Sequence, residues 1–474
     1  MSQFQLQPMP QPMAHSVSNP HQPAAAAFRA SGVPSLKEPV RLLIQGATPG
    51  EMRPDYQVLL AALRDAQRLG YRVIDELVHY AAAAPHVIDG QAAPVYPSDL
   101  GGMGLPSGHP WLQLPNIFLI ELEAASATQV TRDLYRMFND PTRPELYIEV
   151  IEAEPTLGLS LSSKIGTGFN FADPLAMHST YKSDILWTNT NSAGASVTGS
   201  GVTVAVLDSG STTVFAGWHD FTASKSATPV DAHGHGTAMA AIIHDLAQDA
   251  DIHVMRVADA GTLGLFDLMA ALLTAVVHVK AHIVNMSLGV RSSVLPCASC
   301  GAVGANRSTV FDYWFKGLAA GASVAGSDEP IYACAVGNSG AAAAFEWPAA
   351  FAEMVAVGSI THAKARSRFS NAGSSKTSNY ILCPGGETDP SGAPIEWVGN
   401  GTDGTTKTFC TGTSPATAYS SGLFALYRQH LHVSRLPFQA GAVVNEAIKK
   451  AKKDVTDPAT GLVDPSMLRM VLDI

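Results

Sequence analysis

From residue 201 onward the apolar positions come in short, nearly unbroken runs: GVTVAVLD (201–208), IHVMRVA (252–258), AHIVNMSLG (281–289), IYACAVGN (331–338) and EMVAVGSI (353–360). A strand exposed on one face alternates apolar and polar residues, so an unbroken run signals a strand covered on both faces. Between these runs lie GTAMAAIIHDLA (236–247) and FDLMAALLTAVVHV (266–279), long enough to be helices rather than strands. Buried strands separated by helices predict an α/β fold built on a doubly wound parallel sheet across 201–474. In such a sheet, the polar residues that end the strands face one cleft.

Residues 36–155 carry a different, smaller pattern. VRLLIQ (40–45) reads as a strand, YQVLLAALRDAQRLG (56–70) as an amphipathic helix closed by glycine, and YRVIDELV (71–78) as a second strand. NIFLIEL (116–122), ATQVTRDLYRMF (127–138) and ELYIEVIEAE (145–154) repeat strand, helix, strand. Two such halves predict a ferredoxin-like α+β domain. Residues 79–115, rich in Ala, Pro and Gly, are expected to be a surface insertion. Their GGMGLPSGHP stretch follows no Rossmann-type strand and has no phosphate-loop lysine, so it is not read as a nucleotide site. Residues 1–35, rich in Pro, Gln and Ser, are expected to be a disordered tail. Residues 156–200 are expected to be a polar connector with one short helix near DPLAMHSTYKSDILW.

Composition narrows the function classes. The chain has 474 residues, 46% hydrophobic and 15% charged, enough for two or three domains with a large core. Its net charge of −10 and the absence of basic runs apart from KKAKK (449–453), read as the solvated end of a helix, exclude nucleic acid as an expected partner. The first thirty-odd residues lack a basic segment followed by an apolar stretch, and no later run is long and apolar enough to span a membrane. A cytoplasmic location is therefore expected. Five cysteines, an odd and sparse number, do not make a disulfide framework. Cys297 and Cys300 form a CxxC with no second pair to complete a zinc site.

Four polar residues at strand and helix ends suggest acyl transfer. Asp208 closes VAVLD, His235 precedes a helix in DAHGHGTAMAAII, Asn338 ends ACAVGN, and Ser414 stands before Pro415 in FCTGTSPATAYSSG. Proline suits a helix start, which places Ser414 at a helix N-terminus, where free N–H groups favour developing negative charge. A serine hydroxyl needs an imidazole to take its proton, and the imidazole needs a carboxylate to hold its tautomer. An amide at a strand end can donate to the oxyanion. Each residue alone reads as an ordinary turn or cap residue, and the inference rests on the set.

In this order, GVTVAVLDSG, GHGTAMA, NMSLG, AVGNSG and GTSPA resemble the signature blocks of the subtilisin-like serine proteases, the subtilases, over about residues 195–474. The resemblance implies a serine endopeptidase with Asp208, His235 and Ser414 as its triad, in the chain order of subtilisin. It implies that Asn338 and the Ser414 N–H are the oxyanion donors. Ser287, Leu288 and Gly289, with Ala335, Val336 and Gly337, would line the substrate backbone and the first specificity pocket. SRFSNAG (367–373) and GLVDPSML (461–468) resemble later family segments. The family carries a proline four residues after the serine, where this chain has Ala418 and places its own proline at 415. The stretch 291–330, holding the CxxC and STVFDYWFKGLAAG, is longer than the family pattern and is expected to reshape one wall of the cleft. More loosely, 36–155 resembles the propeptide that chaperones and inhibits many subtilases.

The expected partners are thus a peptide or protein substrate and the chain's own N-terminal domain. The chemistry requires no cofactor; many relatives bind structural calcium, but the sequence identifies no ligands for it. Three other readings were weighed. A catalytically silent peptide-binding scaffold would be expected to lack a triad residue, and none is missing. A sedolisin-type acid peptidase would carry a carboxylate for His235 and an aspartate for Asn338. A metal site on Asp231, His233 and His235 would leave Ser414 and Asn338 without a role.

Overall fold

The computed structural model describes residues 39–46, 56–100, 105–139, 143, 146–159, 196–259, 261–290, 308–324, 329–340, 344–372, 379–392, 394–400, 408–433, 440–464 and 466–472. The first elements are β1 (Pro39–Gly46), α1 (Tyr56–Asp65), β2 (Tyr71–Glu76), α2 (Leu77–Ala82), β3 (His86–Ile88), β4 (Gln91–Ala92), β5 (Ile117–Glu123), α3 (Ala127–Phe138), β6 (Ile148–Ala153) and β7 (Thr156–Leu159). There follow β8 (Thr203–Asp208), β9 (Gly217–Asp220), α4 (His235–Leu246), β10 (Asp251–Arg256), β11 (Thr262–Gly264), α5 (Leu265–Leu273), β12 (Ile283–Met286), β13 (Leu288–Val290) and α6 (Thr309–Val324). The last are β14 (Ile331–Ala335), β15 (Val355–Ile360), β16 (Tyr380–Pro384), α7 (Thr413–Val433) and α8 (Ala440–Lys450).

The main sheet has the order β16-β15-β14-β12-β8-β10-β9-β3-β4. From β16 to β9 all neighbours run parallel. The unbroken apolar runs behave as expected of strands covered twice. Val204 and Val206 of β8 face a core with α4 and α7, while Ala205 and Leu207 face another with α5 and α6. Small residues in α7 let it lie close to α4: a Cβ on Gly422 would stand 2.9 Å from the Leu246 Cβ. An alanine there would force two buried helices apart, a strain of about 1–3 kcal/mol.

The N-terminal sheet has the order β2-β5-β1-β6 with every pair antiparallel, the arrangement two interleaved βαβ halves produce. Leu42 and Ile44 of β1 pack under α1 and α3, whereas Leu43 points into the core that contains α5 and α6. The run LLI is apolar at consecutive positions because the second face of this small sheet is covered by the C-terminal half of the chain. Polar contacts fix that seat. Glu154 accepts a hydrogen bond from Phe266 N at 2.7 Å, at the start of α5, and pairs with Arg41 at 3.0 Å. Glu152 accepts from Thr309 N at 3.0 Å and from Ser308 Oγ, at the start of α6. Two glutamates spaced by two residues thus occupy the positive ends of two helices of the other half.

Three expectations need correction. Residues 79–115 are not a surface insertion. Trp111 is buried and donates from Nε1 to Leu318 O of α6 at 2.9 Å, and β3 pairs antiparallel with β9, extending the main sheet. Ala and Pro obscured the short apolar anchors Val95, Leu100, Trp111 and Leu114, all buried. Helix α6 is not a cleft wall, since it lies under Trp111 and Glu152, where it supports the N-terminal half. The run 281–289 is not one strand. It breaks at Ser287 into β12, in the main sheet, and β13, in a separate three-stranded sheet β11-β7-β13. The helix expected near residue 180 and the Cys297/Cys300 pair lie outside the described residues.

The β3–β9 seam holds a chain of buried histidines. His86 Nε2 donates to Ala81 O at 3.0 Å, since a carbonyl can only accept. A neutral His86 must then accept at Nδ1 from His219 Nδ1, 2.8 Å away, and His219 Nε2 in turn accepts from His253 Nδ1 at 3.1 Å. With all three rings neutral, every bond of the chain has one donor and one acceptor. Burial lowers the pKa of His86 and His253 to about 4 each, with His278 acting the same way on both, Lys225 on His86, and Asp89 opposing on His253; His219 is lowered well below its ordinary value. Above pH about 6.5 folded and unfolded rings are alike neutral. As pH falls from there toward 4, only the unfolded rings take up protons, so stability is lost at about 1.4 kcal/mol per pH unit for each ring. Glu154, raised to about 7 by burial, works in the opposite direction. The histidine contribution is therefore expected as a difference: urea midpoints of His86→Gln should fall less steeply between pH 6.5 and 5 than those of the wild type, and parallel curves would contradict the assignment.

Candidate active site

Asp208 and His235 meet because of two adjacent turns. Asp208 ends β8 and Gly210, at φ +120°, turns the chain back; a Cβ there would stand 2.1 Å from Val230 O. His235 is the first residue of α4, after Gly234 at φ +82°. His235 Nδ1 lies 2.6 Å from Asp208 Oδ1, with both side chains fully buried. The carboxylate fixes the tautomer: Nδ1 carries the proton and Nε2 is left as the basic nitrogen. Asp208 Oδ1 also accepts from Ser209 N at 2.7 Å.

Ser414 is the second residue of α7, one residue into the helix rather than before it, and Pro415 is the third. The proline still costs the helix no hydrogen bond, because the first four N–H groups have no intrahelical acceptor. Ser414 Oγ donates to Ser287 O at 3.1 Å, and Ser287 Oγ donates to Ser414 O at 3.1 Å. The hydroxyl is thus turned toward the Ser287 carbonyl, and His235 Nε2 has no hydrogen-bond partner among the described residues. Asn338 Oδ1 accepts from Thr413 N at 2.9 Å and from Thr413 Oγ1 at 3.1 Å. A backbone N–H can only donate, so the amide oxygen is the atom at Thr413 and the NH2 group is the other end.

The predicted substrate-binding residues lie beside these. Ser287 precedes β13, which begins at Leu288 and Gly289; Ala335 ends β14, and Val336 and Gly337 lead on into Asn338, with Gly337 at φ +100°. The groove edge formed by β13 is paired with β7, in the register Leu288 with Leu159, Gly289 with Gly158 and Val290 with Leu157. On its other side β7 pairs with β11. Leu157 and Leu159 are buried, and Asp208, His235 and Ser414 are each fully buried.

Comparison with known proteins assigns the family. The model of the subtilase family, peptidase S8, matches residues 199–460, more than half of the chain. The chain belongs to the subtilase family. Subtilisin BL of Lederbergia lenta is 29% identical to this subtilase over 246 residues, which cover 49% of this chain and 78% of that relative. Among solved structures, a cold adapted subtilisin-like serine proteinase is 21% identical with a TM-score of 0.45, covering 61% of this chain and 97% of the other. The prenylagaramide maturation protease PagA is 21% identical with a TM-score of 0.42, covering 57% and 91%. The enzyme class of this subtilase is that of its family, serine endopeptidase.

Two supporting residues escaped the sequence reading. Asp231 caps a turn: Oδ1 accepts from Ser209 Oγ at 2.8 Å and Gly234 N at 2.7 Å, and Oδ2 from Thr237 N at 2.9 Å and Thr237 Oγ1 at 2.7 Å. Ser209 Oγ in turn accepts from Gly236 N at 3.0 Å. Among the described residues no group of three or more His, Cys, Asp or Glu could hold a metal ion. Asn371 ties down the loop after β14, donating from Nδ2 to Val336 O and Ala344 O at 2.9 Å each and accepting from Ser339 N at 2.7 Å. The hint for Asp231 was its place three residues before Gly234 in DAHGH, a spacing that suits a turn cap as well as a metal. Replacing Asp231 with alanine strands two backbone N–H groups at the start of α4. It is expected to cost about 1–3 kcal/mol of stability and to lower kcat more than it raises KM. Urea unfolding together with steady-state kinetics checks both, and an unchanged kcat would remove Asp231 from the positioning of His235.

Proposed function

We propose that this subtilase hydrolyses peptide bonds through a covalent Ser414 acyl-enzyme, with His235 as base and acid, Asp208 as its orienting carboxylate, and Asn338 with the Ser414 N–H as oxyanion donors. The observation that carries the reading is the buried 2.6 Å contact between Asp208 and His235, which leaves Nε2 as the nitrogen able to take a proton. Ser414 Oγ leaves the Ser287 carbonyl and gives its proton to His235 Nε2 as it attacks the substrate carbonyl. The oxyanion forms at the start of α7, where the helix dipole and the amide of Asn338 favour it. His235 then gives that proton to the departing amine, and water repeats the sequence to release the acid. Catalytic hydrogen bonds are often unmade until substrate is present, so the rotated Ser414 hydroxyl is compatible with this role.

The reading extends to residues 36–159 as an intramolecular restraint. A peptide substrate would be held by main-chain pairing to β11 and β13, and β7 already supplies that pairing. Against the silent-scaffold alternative stands the presence of all four polar residues in the sequence.

Ser414→Ala and His235→Ala are each expected to remove nearly all turnover, because the two act as a unit. Asn338→Ala is expected to lower kcat by roughly 10²- to 10³-fold with little change in KM. A fluorophosphonate should label Ser414, as mapped by mass spectrometry; a label elsewhere would falsify the nucleophile assignment. Leu157→Glu with Leu159→Glu cannot remain buried at those positions and is expected to speed that labelling in the full chain, whereas an unchanged rate would count against the restraint.

A further inference from the structure

The carboxylate of Glu346 sits between two glycines that flank the reaction centre. Gly289 lies two residues beyond Ser287, whose carbonyl is 3.1 Å from Ser414 Oγ. Gly337 immediately precedes Asn338, which is bound to Thr413 beside Ser414. A Cβ built on Gly289 would stand 2.3 Å from Glu346 Oε2, and one built on Gly337 would stand 2.5 Å from Glu346 Oε1. One oxygen therefore faces each wall. Neither glycine could be any other residue without displacing the acid, and at Gly337 the φ of +100° independently requires glycine.

The position of Glu346 is fixed by its surroundings. Its N–H donates to Val336 O at 2.9 Å, which continues the pairing of the chain with the end of β14, and its carbonyl accepts from Ala350 N at 3.2 Å. The next residue, Trp347, is buried edge-on against Phe311 at 4.7 Å between ring centroids and also packs on Phe351. Glu346 itself is half-buried.

The register of β7 shows which substrate residue this carboxylate meets. Leu159 stands opposite Leu288, so an extended peptide in that place brings its next residue level with Ser287 and hence with Ser414. That residue is the one whose carbonyl is attacked. Its side chain would project between Gly289 and Gly337, where the Glu346 carboxylate fills the space against both backbones.

We propose that Glu346 is a specificity-determining residue that selects substrates with a cationic side chain, arginine above lysine, on the amino side of the cleaved bond. The guanidinium fork can meet both carboxylate oxygens, which lysine cannot do, and its weaker hydration lowers the cost of entering a half-buried pocket. Large apolar side chains would instead desolvate the acid and bring no charge to offset that cost, and acidic ones would be repelled. The inference deepens the proposed Ser414 chemistry and rests on it.

The test uses the full chain carrying Leu157→Glu with Leu159→Glu, which frees the edge of β13, and three peptidyl phosphonates that differ only in the first residue, arginine, phenylalanine or glutamate, beside a fluorophosphonate with no side chain. The readout is the ratio of labelling rates at Ser414 within one protein preparation, which does not depend on how much of that preparation is folded. The arginine probe is expected to react about 10- to 100-fold faster than the phenylalanine probe, Glu346→Gln to lose most of that ratio, and Glu346→Lys to favour the glutamate probe. If the fluorophosphonate labels Ser414 but the arginine probe has no advantage, or keeps it in Glu346→Gln, the specificity assignment is overturned while the Ser414 reading stands. If the fluorophosphonate does not label Ser414, the reaction assigned to the site is overturned and the specificity assignment with it.

Discussion

Four residues of main chain, Thr156–Leu159, hold the two halves of this subtilase in one arrangement. They pair on one side with β11 and on the other with β13, so the N-terminal half ends inside the cleft of the C-terminal half. Strand edges carry unpaired N–H and C=O groups, and a cleft bounded by two such edges has a strong physical demand for a strand between them. Here the chain meets that demand itself. The same insertion buries Leu157 and Leu159.

That pairing is supported by a surface rather than by a single strand. The N-terminal sheet lays Leu43, Ile117 and Leu119 on the core that holds α5 and α6, and Glu152 and Glu154 satisfy the first N–H groups of those helices. Burying a carboxylate is costly unless it gains charge-assisted bonds, and a helix N-terminus supplies donors and a favourable dipole together. At the far edge, β3 adds to β9 through a chain of buried histidines. The N-terminal half therefore touches the other at a helix face, a sheet edge and the cleft. Among these, the histidine-lined edge and the glutamate-capped helices respond to pH with opposite signs.

At the reaction centre, short polar networks hold backbone that hydrophobic packing alone would leave free. Asp231 and Ser209 bind the turn that presents His235, and Asn371 binds the loop that presents Asn338. Both act on backbone groups, so their effect is to place a neighbouring side chain. The two glycines facing Glu346 belong to the same logic: each leaves room for a charged side chain close to where a substrate side chain would lie.

Much of this was legible in the chain itself. Unbroken apolar runs identified the parallel sheet because a strand covered on both faces has no room for alternation, and the helix of 127–138 has the bounds its spacing indicated. Asp208, His235, Asn338 and Ser414 were legible as candidates because strand ends and helix starts are where such groups can converge, and the motif order identified the family. Tertiary structure alone decided the rest. Residues 79–115 look like an insertion because their anchors, Trp111 above all, are isolated in sequence and become a core only against α6. Ser287 separates two sheets because β13 has β7 as its partner, a strand from more than a hundred residues earlier. Glu346 and Asn371 read as ordinary polar residues, since nothing local shows that one lies between Gly289 and Gly337 and the other reaches back to Val336. Local sequence determines which backbone a segment prefers. Which charges and strand edges come to face each other is set by contacts between segments far apart in the chain, which no local pattern encodes.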